Sequence, residues 1–415
     1  MYLPRLLAPA LGKALSQFPA VLITGPRQSG KTTFLLREFA QGAHYLSFDD
    51  PLERSFARDD PNAFLDRFPE GRIILDEIQY VPEILQHLKL RIDRDRHRYG
   101  RWLLTGSQQF QLMAGVSESL AGRLALLDLL PLSLLEHPQR AEEPLSSVLW
   151  NSAFPEPALA PGKRDAWLSS YIQTYLERDV RQLRNVQDLR GFETFLALAA
   201  ASHAQELSLT GLSRDLGVTQ PTVKAWLSVL EAGYVVRTLP PYFENYGKRV
   251  IKSPKLYFLD SALVCALTRQ PAAEAALAGA MGGALFEGFV VSEAYKVFAL
   301  LGKRPGLFFW RSHDRLEVDL LLRLPRGLTP VEIKLTATPT ARHTASLKRF
   351  KDLAGKDASG AGLLVCSVAE RRPLPGGNEA LPWREWPGWL YEQLSGFEYA
   401  AAESQSQTVQ STKVS

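Results

Sequence analysis

The sequence predicts an α/β protein: a parallel, doubly wound sheet, then a helical middle region, then a second α/β module. Three observations carry this. Between about Leu15 and Glu136, short apolar runs alternate with amphipathic helical patterns, as βαβ units require. A glycine-rich turn with a trailing lysine follows the first run directly, and a later run ends in paired carboxylates. The strands are expected near Val21–Thr24, His44–Phe48, Ile73–Leu75, Trp102–Thr105 and Leu124–Leu129, with ligands at their carboxyl ends.

The turn Gly25-Pro26-Arg27-Gln28-Ser29-Gly30-Lys31-Thr32 is a complete Walker A loop, which makes the first module a P-loop NTPase sheet. Glycines at both ends let backbone N–H groups converge on phosphates, and the helix that follows through Thr33 aims its positive dipole end at them. Lys31 is expected to reach the β- and γ-phosphates and Thr32 to ligate magnesium. Arg72-Ile73-Ile74-Leu75-Asp76-Glu77 has the form of a Walker B strand. Asp76 there is expected to hold the magnesium through water and Glu77 to polarise the attacking water. The expected cofactors are ATP and Mg2+.

Other residues complete that site as candidates. Ser107 or Thr105, after the Trp102 strand, is placed to sense the γ-phosphate. Arg123, before the last strand, has two readings: an arginine finger acting on a neighbouring subunit of a homo-oligomer, or a structural ion pair. Asp49 and Asp50 close the second strand without an assigned role. The basic run from His87 to Arg101 is either a solvated helix face or a nucleic-acid contact.

A chain of 415 residues exceeds one ordinary core, so two or three domains are expected. The divisions fall at 1–140 for the ATPase module, 141–205 for a linker and helical lid, 206–275, 276–398 and a tail at 399–415. Residues 136–161, rich in Pro, Ser, Ala and Glu, read as the linker, and the Ser/Gln/Thr-rich tail reads as disordered. Cys265 and Cys366 lie far apart in apolar stretches, which points to core thiols rather than a disulfide framework or zinc site. The richest apolar run, Leu124 to Leu135, is broken by Asp128 and Pro131, and Pro4 and Arg5 break any leader pattern. A cytoplasmic protein without membrane contact is the expectation. The net charge of +4 permits nucleic-acid binding without arguing for it.

In the middle region, Leu209, Leu212 and Leu216 mark a short helix ended by Gly217. Thr219 opens a second helix, whose stripe is Val223, Trp226, Leu227 and Leu230. A strand from Tyr234 to Thr238 and its hairpin partner, Lys255 to Asp260, complete a winged helix. Gln220, Thr222 and Lys224 on the outer helix face, with Lys248, Arg249 and Lys252 of the wing, are the candidate DNA contacts. The alternative is a module that only packs.

Beyond a helix beginning near Phe286, Asp319 on one strand stands beside Glu332-Ile333-Lys334 on another. Positions two apart share a strand face, so Glu332 and Lys334 point the same way. Asp319 and Glu332 are candidate magnesium ligands for phosphodiester cleavage, Glu287 a further ligand or water contact, and Lys334 a charge that steadies the nucleophile or the developing charge. A non-cleaving module of the same fold is the alternative.

The ordered set of the Walker A loop, Phe48-Asp49-Asp50-Pro51, Leu75-Asp76-Glu77-Ile78-Gln79, Leu104-Thr105-Gly106-Ser107, Leu120-Ala121-Gly122-Arg123 and Pro131-Leu132-Ser133 resembles the prokaryotic AAA-type ATPases that carry a C-terminal domain of unknown function. The resemblance extends through Tyr175-Leu176-Glu177-Arg178-Asp179, Phe286-Glu287, Glu317-Val318-Asp319 and Val331-Glu332-Ile333-Lys334. It implies an ATPase core, a winged helix and a restriction-endonuclease-like C-terminal domain. Two functions follow as expectations: a DNA-associated ATPase with a metal-dependent nuclease site, or an ATP-dependent switch whose C-terminal module recruits a protein partner.

Overall fold

The computed structural model describes residues 2–106, 120–175, 188–243, 253–312, 316–358 and 360–396. Ser107, residues 176–179, the wing residues Lys248, Arg249 and Lys252, and the tail at 399–415 lie outside them.

The first module holds strands β1 (Ala20–Thr24), β2 (Ala43–Ser47), β3 (Arg72–Asp76), β4 (Trp102–Thr105) and β5 (Leu124–Asp128), each within a residue or two of its expected position. They form one parallel sheet in the order β2-β3-β4-β1-β5. Helices α1 (Ala8–Gln17), α2 (Lys31–Glu38), α3 (Pro51–Asp59), α4 (Pro61–Asp66) and α5 (Ile84–Arg94) complete it. Alternate residues of β1 serve opposite faces, as a two-residue period requires. Leu22 packs in the core of Phe64, Ile84 and Leu88, whereas Val21 and Ile23 pack with Leu11, Leu15 and Phe34. Placing β4 between β1 and β3 sets Thr105 beside both motif strands.

The expected linker is instead folded. Residues 136–161 contain α6 (Gln139–Glu142), α7 (Leu145–Trp150) and α8 (Pro155–Leu159). The buried Arg140 guanidinium donates to the carbonyls of Val148, Asn151 and Ser152 at 2.7 to 3.3 Å. The prolines act as helix starters here: Pro155 opens α8 at a position where its missing N–H costs nothing.

Helices α9 (Arg164–Tyr175) and α10 (Leu189–Ala201) lead into β6 (Gln205–Glu206), α11 (Leu209–Leu216), α12 (Gln220–Ala232), β7 (Val236–Leu239) and β8 (Lys255–Phe258). The three strands make an antiparallel sheet in the order β6-β8-β7. Gly217 ends α11 in the left-handed region at φ 67°, and Thr219 caps α12, both as the sequence implies. Phe192 and Phe195 of α10 pack on Trp226 of α12, with centroids 5.6 and 5.5 Å away. Tyr234, expected as the first residue of a strand, instead occupies a left-handed turn at φ 57°, and the strand begins at Val236. That turn sends the buried Tyr234 ring toward the first module.

After α13 (Ser261–Leu267) and α14 (Ala273–Ala278), the buried helix α15 (Gly282–Leu300) starts four residues before the expected Phe286. Strands β9 (Leu307–Arg311), β10 (Glu317–Leu324), β11 (Gly327–Ile333), β12 (Leu363–Cys366), β13 (Arg372–Leu374) and β14 (Asn378–Pro382) form a mixed sheet in the order β13-β14-β12-β11-β10-β9. One face, with Leu320, Leu322, Val331 and Ile333, packs in the core that includes α15. The other covers Leu347 and Phe350 of α16 (Ala345–Ala354). Among the described residues no helix is long and apolar enough to cross a membrane.

Candidate functional site: a nucleotide cleft and an acidic cluster

The Walker A loop leaves β1 through Gly25, whose φ is 147° and where an added Cβ would lie 2.2 Å from the Leu129 carbonyl oxygen. No side chain fits there. Gln28 at φ 61° and Gly30 at φ 89° turn the chain into α2. The loop is supported from beneath by Arg5, whose Nη1 donates to the Ser29 carbonyl at 2.9 Å and whose Nη2 donates to the Leu130 carbonyl at 2.7 Å. Arg5 Nε in turn pairs with Glu136 at 2.8 Å, both side chains being buried. The buried Lys31 ammonium donates to the carbonyls of Gly25 and Pro26, at 3.1 and 2.9 Å.

Asp76, at the end of β3, gathers hydroxyls. Its Oδ2 accepts from Thr32 Oγ1 at 2.7 Å and from the Tyr45 hydroxyl at 2.8 Å, and its Oδ1 accepts from Thr105 Oγ1. Thr105 Oγ1 also accepts the Glu77 backbone N–H at 3.1 Å, so one hydroxyl on β4 fixes both Walker B residues. Burial, then the hydrogen bond to Asp76, raises the Tyr45 phenol above its ordinary value. Glu77 itself sits at φ 57°, and its carboxylate accepts from Gln79 Nε2. The neighbouring Thr32 and Asp76 oxygens are the donor set that an ATP-bound magnesium requires, so the residues fit that ion.

The resulting cleft, about 470 Å³, is lined by Arg27, Gln28, Gly30, Lys31, Thr32, Thr33 and Glu77, and also by Tyr171 and Thr174 of α9. Tyr171 is held by stacking on Trp167, 4.9 Å between centroids, and by Phe154 at 5.0 Å. Tyr45, Arg5 and Tyr171 were not legible as site residues. None of the three lies within either Walker motif.

Of the remaining candidates, Arg123 forms a two-point ion pair with Asp93 of α5, at 2.6 and 3.0 Å. Asp50 caps α3 by accepting the Leu52 N–H at 2.8 Å, and the Asp49 carbonyl accepts from Arg54. Arg91 of the basic run pairs with Asp66 at 2.6 Å. On α12, Gln220 and Lys224 are exposed and Thr222 half-buried, with Gln220 donating to Thr210 Oγ1 at 3.0 Å.

Two contacts tie the cleft to the rest of the chain. The hydroxyls of Thr24, at the base of the Walker A loop, and Tyr234 lie 2.7 Å apart, and each is 2.6 Å from Asp128 Oδ1. On α15, Glu293 Oε2 accepts from Ser133 Oγ at 2.6 Å and from the Leu134 N–H at 3.0 Å, while Lys296 donates to the Leu132 carbonyl at 3.1 Å.

The structure does bring Glu287, Asp319, Glu332 and Lys334 together, but as ion pairs. Lys334 Nζ lies 3.0 Å from Asp319 Oδ2 and 2.9 Å from Glu332 Oε1, so the two strand neighbours do share a face. Glu332 Oε2 accepts from Ser346 Oγ at 2.7 Å. The surprise is Lys255 of β8, read from sequence only as part of a hairpin strand. Its Nζ is 2.9 Å from Glu287 Oε1, pairs with Glu317, and is 4.0 Å from Asp319 Oδ1. Burial pulls the Lys255 pKa down, but Glu287, Asp319 and Glu317 outweigh it and raise it. Burial, then Asp319, pushes the Glu332 carboxyl up to about 7. Among the described residues no three carboxylate, imidazole or thiolate groups converge to hold a metal. In this arrangement Lys255 and Lys334 take the charge of the carboxylates expected as magnesium ligands.

Residues 17–137 match the family described as AAA domain, and residues 142–274 and 282–386 match two domains of unknown function, DUF8612 and DUF4143. An uncharacterized protein of Mycobacterium tuberculosis is 35% identical over 347 residues, covering 80% of this chain and 74% of the relative. An uncharacterized protein of Mycobacterium bovis gives the same figures. Among solved structures, a Walker-type ATPase of Pyrococcus abyssi is 16% identical at a TM-score of 0.42, covering 63% of this chain and 94% of its own. A RuvB variant of Thermotoga maritima is 19% identical at 0.30, with 56% and 87% covered. With a complete nucleotide loop on an all-parallel sheet and this extent of shared sequence, the chain belongs to the family of these mycobacterial proteins, and it carries an AAA domain of the ATPase type followed by two domains of unknown function.

Proposed function

We propose that the chain hydrolyses ATP and uses the nucleotide state to reset the packing of its middle module against the first. The observation that carries this reading is the lining of the cleft: Lys31, Thr32 and Glu77 come from the ATPase sheet, Tyr171 and Thr174 from α9. A triphosphate filling that space touches both, so binding and loss of the γ-phosphate bias their contact. Within the cleft Lys31, which now donates to two loop carbonyls, would turn to phosphate oxygens, and Thr32 and Asp76 would hold a magnesium ion that screens phosphate charge. Glu77 orients and deprotonates the attacking water once it leaves Gln79, while Thr105 keeps Asp76 and Glu77 in register. Phosphate release by wild type, Lys31→Ala and Glu77→Gln tests the chemistry. Amide exchange over residues 164–175 with and without magnesium ATP tests the coupling. Equal exchange in both states, from a protein that turns ATP over, would leave a simple ATPase and no switch.

The order α10, β6, α11, α12, β7, β8 supports reading the middle module as a winged helix that meets duplex DNA through Gln220, Thr222 and Lys224, with Lys248, Arg249 and Lys252 on phosphates. Binding to a labelled duplex should weaken steeply with salt and weaken again in Lys224→Ala. Salt-independent binding would leave the module a packing unit. The lysine pairing of Glu287, Asp319 and Glu332 favours a C-terminal module that serves as scaffold or partner platform over one that cuts.

A further inference from the structure

We infer that the Lys255 ammonium is a built-in cation that neutralises Glu287 and Glu317 beside Asp319, so that this acidic cluster is a charge-locked joint between the middle module and the C-terminal sheet, open to a divalent cation only once that lysine is removed. The three carboxylates come from α15 and from β10, whereas Lys255 comes from the central strand of the other module's sheet. Lys255 is 4% exposed, with its Nζ beside Glu287 at 2.9 Å, paired with Glu317, and 4.0 Å from Asp319. Tyr257, two residues on and therefore on the same strand face, adds a 2.6 Å hydrogen bond to the same Glu287 oxygen. At the rim Arg311 pairs with Glu317 on its own sheet and with Glu206 of β6 across the joint.

The backbone cannot easily withdraw this lysine. Lys255 is in register with Glu206 on one side and Leu239 on the other, so β8 is hydrogen-bonded along both edges. Withdrawing the side chain would leave the buried Glu287 carboxylate beside Asp319 without its counter-charge, while Glu317 and Asp319 would keep Arg311 and Lys334. Lys334 meanwhile holds the second Asp319 oxygen and Glu332, so each of the four carboxylates has an ammonium or guanidinium partner. One position in the cluster is thus set for a cation, and the chain supplies that cation itself.

Manganese binding to the full-length chain, followed by the loss of the free Mn2+ paramagnetic resonance signal under a saturating non-hydrolysable ATP analogue, tests this. Wild type should take one Mn2+ per chain, at the nucleotide. Lys255→Met should take a second, which Lys255→Met combined with Asp319→Asn loses again, while Lys255→Arg should stay at one. Nucleotide affinity and the melting profile report whether each variant is folded. A wild type that binds two, with the second lost in Asp319→Asn, overturns the inference, as does a folded Lys255→Met that binds only one. If Lys255→Met does not fold, the wild type and Asp319→Asn decide the matter alone.

Discussion

Lowering the pH charges His203 against its burial, and the cost follows from how far that burial depresses its pKa. The imidazole is 0% exposed. Its Nδ1 accepts the Phe258 N–H at 3.1 Å, and the Tyr257 and Phe258 rings lie 5.9 and 6.1 Å away. Burial lowers its pKa from 6.5 to about 3. A depressed folded-state value means that the unfolded chain takes the proton first, so stability is intact above 6.5 and falls as the pH drops toward 3. At pH 5 the difference is about 1.5 pH units of unmatched protonation, or about 2 kcal/mol, rising to about 5 kcal/mol below pH 3. His203→Asn supplies an amide oxygen for the Phe258 N–H and removes the titration. Urea unfolding followed by tryptophan fluorescence at pH 7, 6 and 5 should show wild type losing about 2 kcal/mol more than His203→Asn over that range. Parallel losses in the two proteins would refute the reasoning.

Thr105→Val removes the hydroxyl shared by Asp76 and Glu77, and phosphate release should fall roughly 10- to 100-fold while ATP affinity stays within about twofold. Paired turnover and nucleotide-binding measurements check it, and unchanged turnover would detach Thr105 from the site. Gly288→Ala sets a Cβ 1.8 Å from His203 Nε2 on a buried helix, and should cost about 1 to 3 kcal/mol in urea unfolding. Arg5→Ala strands the buried Glu136 carboxylate and should cost about 3 to 5 kcal/mol, with Arg5→Lys restoring only part of it because one ammonium cannot serve Ser29, Leu130 and Glu136 together. Thermal melts of the three proteins measure the difference.

Much of the first module was legible because its signals are local. Val21 to Ile23 and Ile73 to Leu75 are continuous apolar runs, as strands covered on both faces must be, and the glycines that the Walker A loop needs sit within the motif itself. Gly217 and Thr219 likewise mark a helix end and a helix start by backbone chemistry alone. What escaped was set at long range. Lys255 meets Glu287 across 32 residues and Tyr234 meets Thr24 across 210, and neither a lysine nor a tyrosine within an apolar run of sequence announces such a partner. The stretch at 136–161 misled for a different reason: Pro and Ser are as common at helix starts as in linkers, and only the buried Arg140 reveals which use is made of them.

The clamp beneath the Walker A loop also bears on how the ATPase module is cut out and how it matures. Arg5 and Glu136 are 131 positions apart, so the loop emerges during synthesis long before its support is complete. A fragment ending at β5 keeps all five strands yet lacks Glu136, leaving Arg5 buried beside the phosphate loop without its counter-charge. A fragment that keeps the support of this loop therefore has to run from before Arg5 to beyond Glu136, past the last strand.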